Sequence, residues 1–401
     1  MHDDGTPSDS IGKRVARARK RRALTQHGLA DRSNYSRSHI AQVEAGHKVA
    51  TPAFIAATAS ALAVDPTELY GQPYRGETVR DDKVHAPIPE IRRALAFVDV
   101  APDLQAPPRP LDALTAELAI VRRLQFASRH VQIGARLPGL LEELTWHAYE
   151  TEELRAWRLL FRAHEAAADL CRKLGYHDLA SNWLERAKES AQRSQDPHLP
   201  VLVVLRRSLL LAAVAQWRPA LTLLSRALRV VDHGRDDADE VAGTAHLRAA
   251  IVAARSGDST TAWDHYGQAV ETRDRAGSKR GDRHGVTTNF TSGNVSIHGA
   301  AVAVDLGDLD EAARRDRGIG ERLLSGLVPE RRAHHEIDMA RVHVETGDRG
   351  RALERLLGAE RIAPQMTRYH PSARAVVGHL VDVRREIPEP LRGIQSRMHI
   401  A

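Results

Sequence analysis

The sequence lacks the features that secreted and membrane proteins use. Its single cysteine, Cys171, excludes an intramolecular disulfide and leaves no second thiol with which to share a metal ion. No stretch approaches the roughly 18 apolar residues that a membrane-spanning helix needs. Residues 1–10 are polar and acidic, whereas a signal peptide is basic and then apolar. These absences predict a cytoplasmic protein that makes no contact with a membrane.

Aromatic residues are also scarce. They make up 4% of the chain, whereas hydrophobic residues together make up 42%, which is enough for a packed core. Alanine, leucine and arginine, which all favour helix, are abundant. The composition therefore predicts an all-α fold, and 401 residues are enough for one small and one large domain.

Positive charge is concentrated near the amino terminus. The formal net charge is +6, and the residues after 48 are nearly neutral. Between residues 11 and 48, ten basic residues stand against only Asp31 and Glu44. Such a segment is typical of a domain that binds a polyanion, although a solvated helix face gives the same pattern. The basic residues are Lys13, Arg14, Arg17, Arg19, Lys20, Arg21, Arg22, Arg32, Arg37 and Lys48.

Capping residues divide this basic segment and the residues up to 70 into five short helices. Ser10, Thr25, Ser36 and Thr51 each stand directly before a segment with helical periodicity, where a short polar side chain caps free backbone N–H groups. Asn34 tolerates the left-handed backbone of a tight turn between the second and third helices. A shorter fifth helix is expected just before residue 70.

Small residues recur in a regular pattern after residue 111. Alanines repeat at intervals of 40 to 50 residues, each preceded by a second small residue twelve positions upstream, and a glycine-containing turn separates the two in four of the five units. Small residues let antiparallel helices approach closely, so each unit is predicted to be a helical hairpin. The pairs are Ala168 and Ala180, Ser208 and Ala220, Ala250 and Ala262, Ala300 and Ala312, and Ala340 and Ala352.

Hairpins of this kind are expected to stack into a superhelix with a concave surface, because one hairpin cannot bury both of its apolar faces. A degenerate unit around Arg129–Leu144 begins the stack. The alternative is an irregular helical domain whose alanine-rich sequence imitates a repeat. The predicted organisation is a disordered acidic tail (1–10), a five-helix domain (11–72), a proline-rich linker with one helix near residues 91–98 (73–112), a repeat domain (113–387) and a C-terminal tail (388–401).

The second and third helices match a geometry in which one helix crosses the DNA backbone and the next enters the major groove. With its basic first helix, Leu24-Thr25-Gln26 and Ser36-Arg37-Ser38-His39-Ile40, the segment Ile11–Leu69 resembles the phage-repressor-type (Cro/C1, or XRE) helix-turn-helix family. The whole chain is similar to actinobacterial regulators that join this module to tetratricopeptide-like repeats. The resemblance implies a five-helix lambda-repressor-like DNA-binding domain followed by a tetratricopeptide-like α-solenoid.

The resemblance also implies roles for individual side chains. Arginine pairs with guanine, glutamine with adenine, and serine or neutral histidine donates or accepts a hydrogen bond. The sequence departs from the family pattern at Gly28 and at Asn34, where relatives often have an acidic or polar residue and a glycine respectively. Base-reading roles fall on Arg37, Ser38, His39 and Gln42. Phosphate-contacting or helix-capping roles fall on Gln26, Thr25, Ser36, Lys13, Arg17 and Lys48, and Gln26 is also expected to buttress the reading helix.

Motifs of catalysis or metal binding are incomplete. His334-His335-Glu336 lacks a zinc-binding partner, because Met339 stands four residues after His335. Gly318-Ile319-Gly320 lacks the preceding strand and the third glycine of a dinucleotide-binding loop. The sequence therefore predicts no cofactor, no metal and no enzymatic activity.

The function expected from these observations is sequence-specific binding to double-stranded DNA by a transcriptional regulator. A homodimer is expected, because one small reading helix gives limited specificity and two-fold proteins bind two half-sites. The repeat groove is expected to bind a peptide, a small molecule or a protein, by analogy with similar regulators. Two alternatives stay open: an adaptor that is anchored non-specifically to nucleic acid, and an enzyme with an unrecognised site in its repeats.

Overall fold

The computed structural model describes residues 10–75, 82–97, 99–276, 289–384 and 386–400. Over these residues the secondary structure is helical, without a strand, which confirms the predicted all-α class. The expected acidic tail lies outside the described residues except for Ser10. None of the helices in the described part of the chain is long and apolar enough to span a bilayer.

Five helices form an amino-terminal unit, here called the head. Its core is apolar, and Val15, Leu29, Ile40, Phe54 and Leu69 are fully buried in it. The side chains of the four predicted caps, Ser10, Thr25, Ser36 and Thr51, accept hydrogen bonds from backbone N–H groups as expected. Ser36 Oγ, for example, accepts from His39 N at 3.1 Å. The head helices are α1 (Ile11–Arg21), α2 (Gln26–Ser33), α3 (Arg37–Glu44), α4 (Pro52–Leu62) and α5 (Pro66–Tyr70).

The remaining helices, here called the stack, pack mainly as antiparallel pairs. The two small residues that define each predicted repeat are buried in all five units, which confirms the helical hairpins. The stack helices are α6 (Ile88–Ala94), α7 (Leu111–Phe126), α8 (His130–Glu150), α9 (Leu154–Lys173), α10 (His177–Arg193), α11 (Leu199–Ala213), α12 (Trp217–Arg229), α13 (Ala238–Arg255), α14 (Ser259–Ala276), α15 (Ser292–Leu306), α16 (Leu309–Gly318), α17 (Glu321–Ser325), α18 (Pro329–Glu345), α19 (Arg349–Ile362), α20 (Pro364–Tyr369), α21 (Pro371–Asp382) and α22 (Glu389–Arg397).

Left-handed residues make the turns within the hairpins. Gly175, Gly257, Gly307 and Gly347 have φ between 80° and 88°, a conformation that is strained for residues with a Cβ atom. In the α11–α12 turn the corresponding residue is Ala215, with φ 58°. This substitution explains why the glycine signal is missing from one of the five repeats.

The stack curves until its last helices meet its first. Helix α18 contacts α7. Glu330 at the start of α18 forms an ion pair with Lys173 of α9, with Lys173 Nζ 2.7 Å from Glu330 Oε1. The backbone N–H of Val131 in α8 donates to Gln365 Oε1 of α20 at 3.1 Å. These contacts surround an interior that is lined by helices from both ends of the stack.

Two segments that were expected to lie outside the packed domains instead contribute to the core. Helix α6 falls within the expected linker, with Ile88 and Ile91 buried among α8 and its neighbours. Helix α22 falls within the expected C-terminal tail, with Leu391 and Ile394 fully buried beside α19 and α21. Each helix has a proline in its first turn, where the missing N–H is tolerated. The prolines therefore begin helices here, and burial of the apolar side chains that follow stabilises them.

The packing of α22 can be tested by a truncation of one core side chain. Ile394→Ala should lower the free energy of unfolding by about 2–5 kcal/mol, because it leaves a cavity in a filled core. Denaturant unfolding of the full chain measures this loss. Exposed Ser396→Ala on the same helix is the control, and equal, negligible losses for the two variants would show that α22 does not pack as described.

Candidate nucleic-acid interface

The orientation of α3 follows from its apolar residues. Ile40 and Val43 are buried in the head core, and Ser36 caps the start of the helix. Asn34, with φ 58°, ends α2 and makes the turn that sends α3 across it. Because the buried pair fixes one side of α3, the opposite side faces outward. Three of the four predicted base-reading residues are exposed there: Arg37, Ser38 and Gln42.

His39 is on the other side of α3. Its ring stacks on Phe54, with centroids 5.3 Å apart, and meets Tyr35 edge-on at 5.0 Å. Burial, followed by the positive charge of Lys48, lowers the pKa of His39 to about 4, so the ring is neutral near pH 7. This packing removes His39 from the outward-facing set that the sequence predicted, because its position shares the phase of Ile40 and Val43.

Glu44 joins the three helices of the motif at the end of α3. Its carboxylate accepts two hydrogen bonds from Arg19 of α1, at 2.7 and 2.8 Å, and one from Gln26 Nε2 of α2 at 2.9 Å. Burial alone would raise the pKa of Glu44, but the hydrogen bonds from Arg19 and Gln26 outweigh it and hold the pKa below its usual value. The amide of Gln26 thus lies against the end of α3, where it can brace that helix.

The remaining predicted contact residues fall into three groups. Lys13 and Arg17 are exposed on α1. The side chains of Thr25 and Ser36 serve as N-caps, with Thr25 Oγ1 accepting from Gly28 N at 3.0 Å. Lys48 Nζ lies 3.8 Å from Glu345 Oε2 of α18, so in this structure it pairs with the stack.

The loop after α3 anchors the head to the stack. Val49 is buried in the apolar cluster formed by α18, α19, α21 and α22. The ring Nδ1 of His379 in α21 lies 3.0 Å from Gly46 O. Further along, the guanidinium of Arg374 lies 3.9 Å from the ring centroid of Tyr74. The head therefore docks on the stack through the loop after α3 and through the segment around Tyr74. The outward side of α3 stays uncovered.

The sequence analysis missed the stack residues in this contact. Gly46 and His379 are 333 positions apart, and no local pattern links residues at that separation. The available signal was the apolar Val49, which stands in the loop between α3 and α4 and belongs to the apolar side of neither helix. Glu44 was seen only as a charge and not as the acceptor for two helices.

The histidine-rich motif near residue 335 has structural partners. His335 Nε2 lies 2.8 Å from Asp316 Oδ1, and the His334 ring meets the His370 ring edge-on at 4.8 Å. Over the residues that the structure describes, no group of three or more histidine, cysteine, aspartate or glutamate side chains could hold a metal ion.

Charge on Glu44 should contribute to stability in a pH-dependent manner. Since its folded pKa is depressed, the contribution is present above the ordinary carboxyl pKa and is lost as the pH falls through the folded value. Glu44→Gln should therefore cost roughly 1–2 kcal/mol at pH 7, and the difference should shrink as the pH falls below about 4.5. Exposed Glu68→Gln, which loses a pair with Arg21, is the matched control. A Glu44→Gln cost that is absent at pH 7, or independent of pH, contradicts this assignment.

Comparisons with known proteins identify the head. Residues 10–69 match the family described as a helix-turn-helix domain. No curated protein matches the chain. BtubC from P. vanneervenii is 22% identical and covers 65% of this chain and 94% of its own, with a TM-score of 0.34. Bacillus thuringiensis PlcR, solved with the peptide PapR7 and DNA, is 14% identical and covers 67% of this chain and 95% of its own, with a TM-score of 0.30. The family match therefore assigns residues 10–69 to a helix-turn-helix domain, which the helical hairpins of the stack follow.

Proposed function

We propose that this protein is a sequence-specific, DNA-binding transcriptional regulator of the cytoplasm. The observation that carries the proposal is the exposed side of α3, where Arg37, Ser38 and Gln42 lie together on a helix of a basic helix-turn-helix domain. Docking of the head on the stack leaves this side uncovered. A helix in this setting enters the major groove and reads base edges with its outward residues.

The chemistry of the three side chains suits base recognition. Arg37 can donate two hydrogen bonds to a guanine, Gln42 can pair with an adenine, and Ser38 can donate or accept. We assign His39 to packing rather than to base contact, because its ring lies between Tyr35 and Phe54. Lys13 and Arg17 on α1 are placed for contacts with phosphate, which position the domain without reading sequence.

The rest of the chain is proposed to control the head. We infer that residues 11–72 act as the DNA-binding domain and that residues 113–387, which resemble tetratricopeptide repeats, mediate dimerisation, ligand sensing or both. Val49 and the Lys48–Glu345 pair join the two, so a change in the stack can reach the segment directly after α3. A homodimer would present two reading helices to two half-sites about one helical turn apart.

An adaptor function is the main alternative. In that case the stack binds a protein and the basic head only anchors the complex to nucleic acid. A regulator prefers its own site by a factor of roughly 10³ or more at physiological salt, whereas an anchor shows mainly a steep salt dependence. Genome-wide DNA capture with the intact protein, followed by titration of captured and random DNA at several salt concentrations, separates the two functions.

Paired substitutions test the division between base and phosphate contacts. Arg37→Ala should weaken binding to the captured site by about 1–3 kcal/mol and relax the preference at one base pair per half-site. Lys13→Ala should weaken binding to all sequences alike and reduce the salt dependence. Fluorescence anisotropy on captured, mutated and random duplexes measures both effects. Equal losses on captured and random DNA for Arg37→Ala would rule out a base-reading role for this residue.

A further inference from the structure

The interior of the stack contains a cavity of about 280 Å³. Helices from both ends of the stack line it, and the head closes one side with Pro52, Pro66, Tyr70 and Gln72. This volume is near the lower end of pockets that bind small molecules, which begin at about 300 Å³. An occupant of the cavity would touch the stack and the head together.

Basic side chains dominate the charged lining of the cavity. Seven lysine and arginine residues face only three carboxylates, those of Asp305, Glu330 and Asp338. Buried cations are costly unless they are paired, so each one requires an account of its partner. The seven are Arg172, Lys173, Arg206, Arg248, Arg255, Arg331 and Arg341.

Five of the seven cations have carboxylate partners within the protein. The geometry of these pairs is close, with nitrogen–oxygen distances between 2.7 and 3.2 Å. The pairs therefore use the three lining carboxylates and two more behind them. They are Arg172 with Asp169, Lys173 with Glu330, Arg206 with Glu165, Arg255 with Asp305, and Arg341 with Asp338.

Arg248 of α13 and Arg331 of α18 are the exceptions. Arg248 Nε is buried and has no hydrogen-bond partner in the described part of the chain. Among the described residues, the carboxylate paired with Arg331 is that of Glu330, at 4.0 Å, and Lys173 already holds this carboxylate at 2.7 Å. His298, which also lines the cavity, adds no negative charge. Within the described part of the chain, the site thus carries positive charge without a close carboxylate for each cation.

The electrostatic surroundings of Arg248 agree with this description. Burial, together with the positive charges of Arg331, Arg206 and further arginines, lowers the pKa of Arg248 well below its usual value. Burial likewise lowers the pKa of His298 to about 3, with Arg331 adding to the effect. The largest charges that act on Arg248 are all positive, so an anion in the cavity would favour its charged form.

We propose that this cavity binds a small organic anion, with carboxylate or phosphate groups held by Arg248 and Arg331. Guanidinium groups pair with both kinds of oxyanion in a bidentate manner, and such pairs are among the strongest polar contacts in proteins. This inference names the chemical class of the ligand that the stack would sense. A regulatory effect of that ligand rests on the proposed function, whereas its binding does not.

Calorimetric titration of the full chain with citrate and with pyrophosphate tests the site, with sodium chloride at matched ionic strength as the blank. At least one of the two probes should bind saturably at one equivalent per chain. Arg248→Met should weaken that binding at least about tenfold. Arg361→Met, an exposed position on α19 that does not line the cavity, is the matched control and should leave it unchanged. Citrate alone binding would indicate a carboxylate ligand, and pyrophosphate alone a phosphate ligand.

Failure of both probes to bind saturably, or equal binding by Arg248→Met, would overturn the proposal. Melting temperature in chloride gives an independent outcome. An unpaired buried cation is destabilising, so Arg248→Met should melt at or above the wild-type temperature without added anion, and a clear decrease would show that Arg248 is structural. Neither measurement involves DNA, so a negative result for the anion site leaves the proposed function intact. Conversely, if Arg37→Ala does not alter base preference, the anion site is unaffected.

Discussion

Burial of Ile40 and Val43 is the constraint on which the proposed interface depends. These two side chains fix the rotation of α3 about its axis, since both are inserted in the head core. With that rotation, Ser38 and Gln42 lie opposite the buried pair, and Arg37 is exposed beside them at the start of the helix. His39 lies nearer the buried side, where it packs on Tyr35 and Phe54. Glu44 then holds the far end of α3 to α1 and α2 through Arg19 and Gln26, so the presented surface is supported at both ends.

The same segment that follows α3 also carries the contact with the stack. Val49 lies in an apolar cluster of the stack, and Gly46 and Lys48 meet α21 and α18. The head also contributes Tyr70 and Gln72 to the wall of the inner cavity. A ligand that neutralises Arg248 and Arg331 would therefore act close to the surface on which the head rests. This proximity gives the stack a physical route to the head.

Sequence patterns were sufficient wherever the controlling interaction is local. Caps and turn residues such as Thr25 and Asn34 predicted the helices of the head, because a cap acts on the first turn of its own helix. Paired small residues such as Ala300 and Ala312 predicted the hairpins, because the two helices of one hairpin pack on each other. The prolines of the expected linker were misleading at α6, since a proline in the first turn begins a helix and a proline in a helix interior breaks one. Whether α6 and α22 pack depends on distant apolar partners.

The candidate sites show the same division. The outward phase of Arg37 and Gln42 follows from helical periodicity, but the packing of His39 against Phe54 depends on α4. The pairing of Lys48 with Glu345 and the isolation of Arg248 depend on how the whole stack curves. Charge counts along the chain gave no sign of the cavity, because the residues after 48 are nearly neutral overall while their arginines converge on the inside of the stack.

Photo-crosslinking from single positions of α3 to the captured DNA tests the central claim most directly. A crosslinking side chain at position 42 of the intact protein should form adducts with bases in the major groove, whereas one at position 39 should crosslink within the head. Adducts that form only from the stack, or equally from positions 39 and 42, would contradict the assignment of the outward side of α3 as the surface that reads DNA.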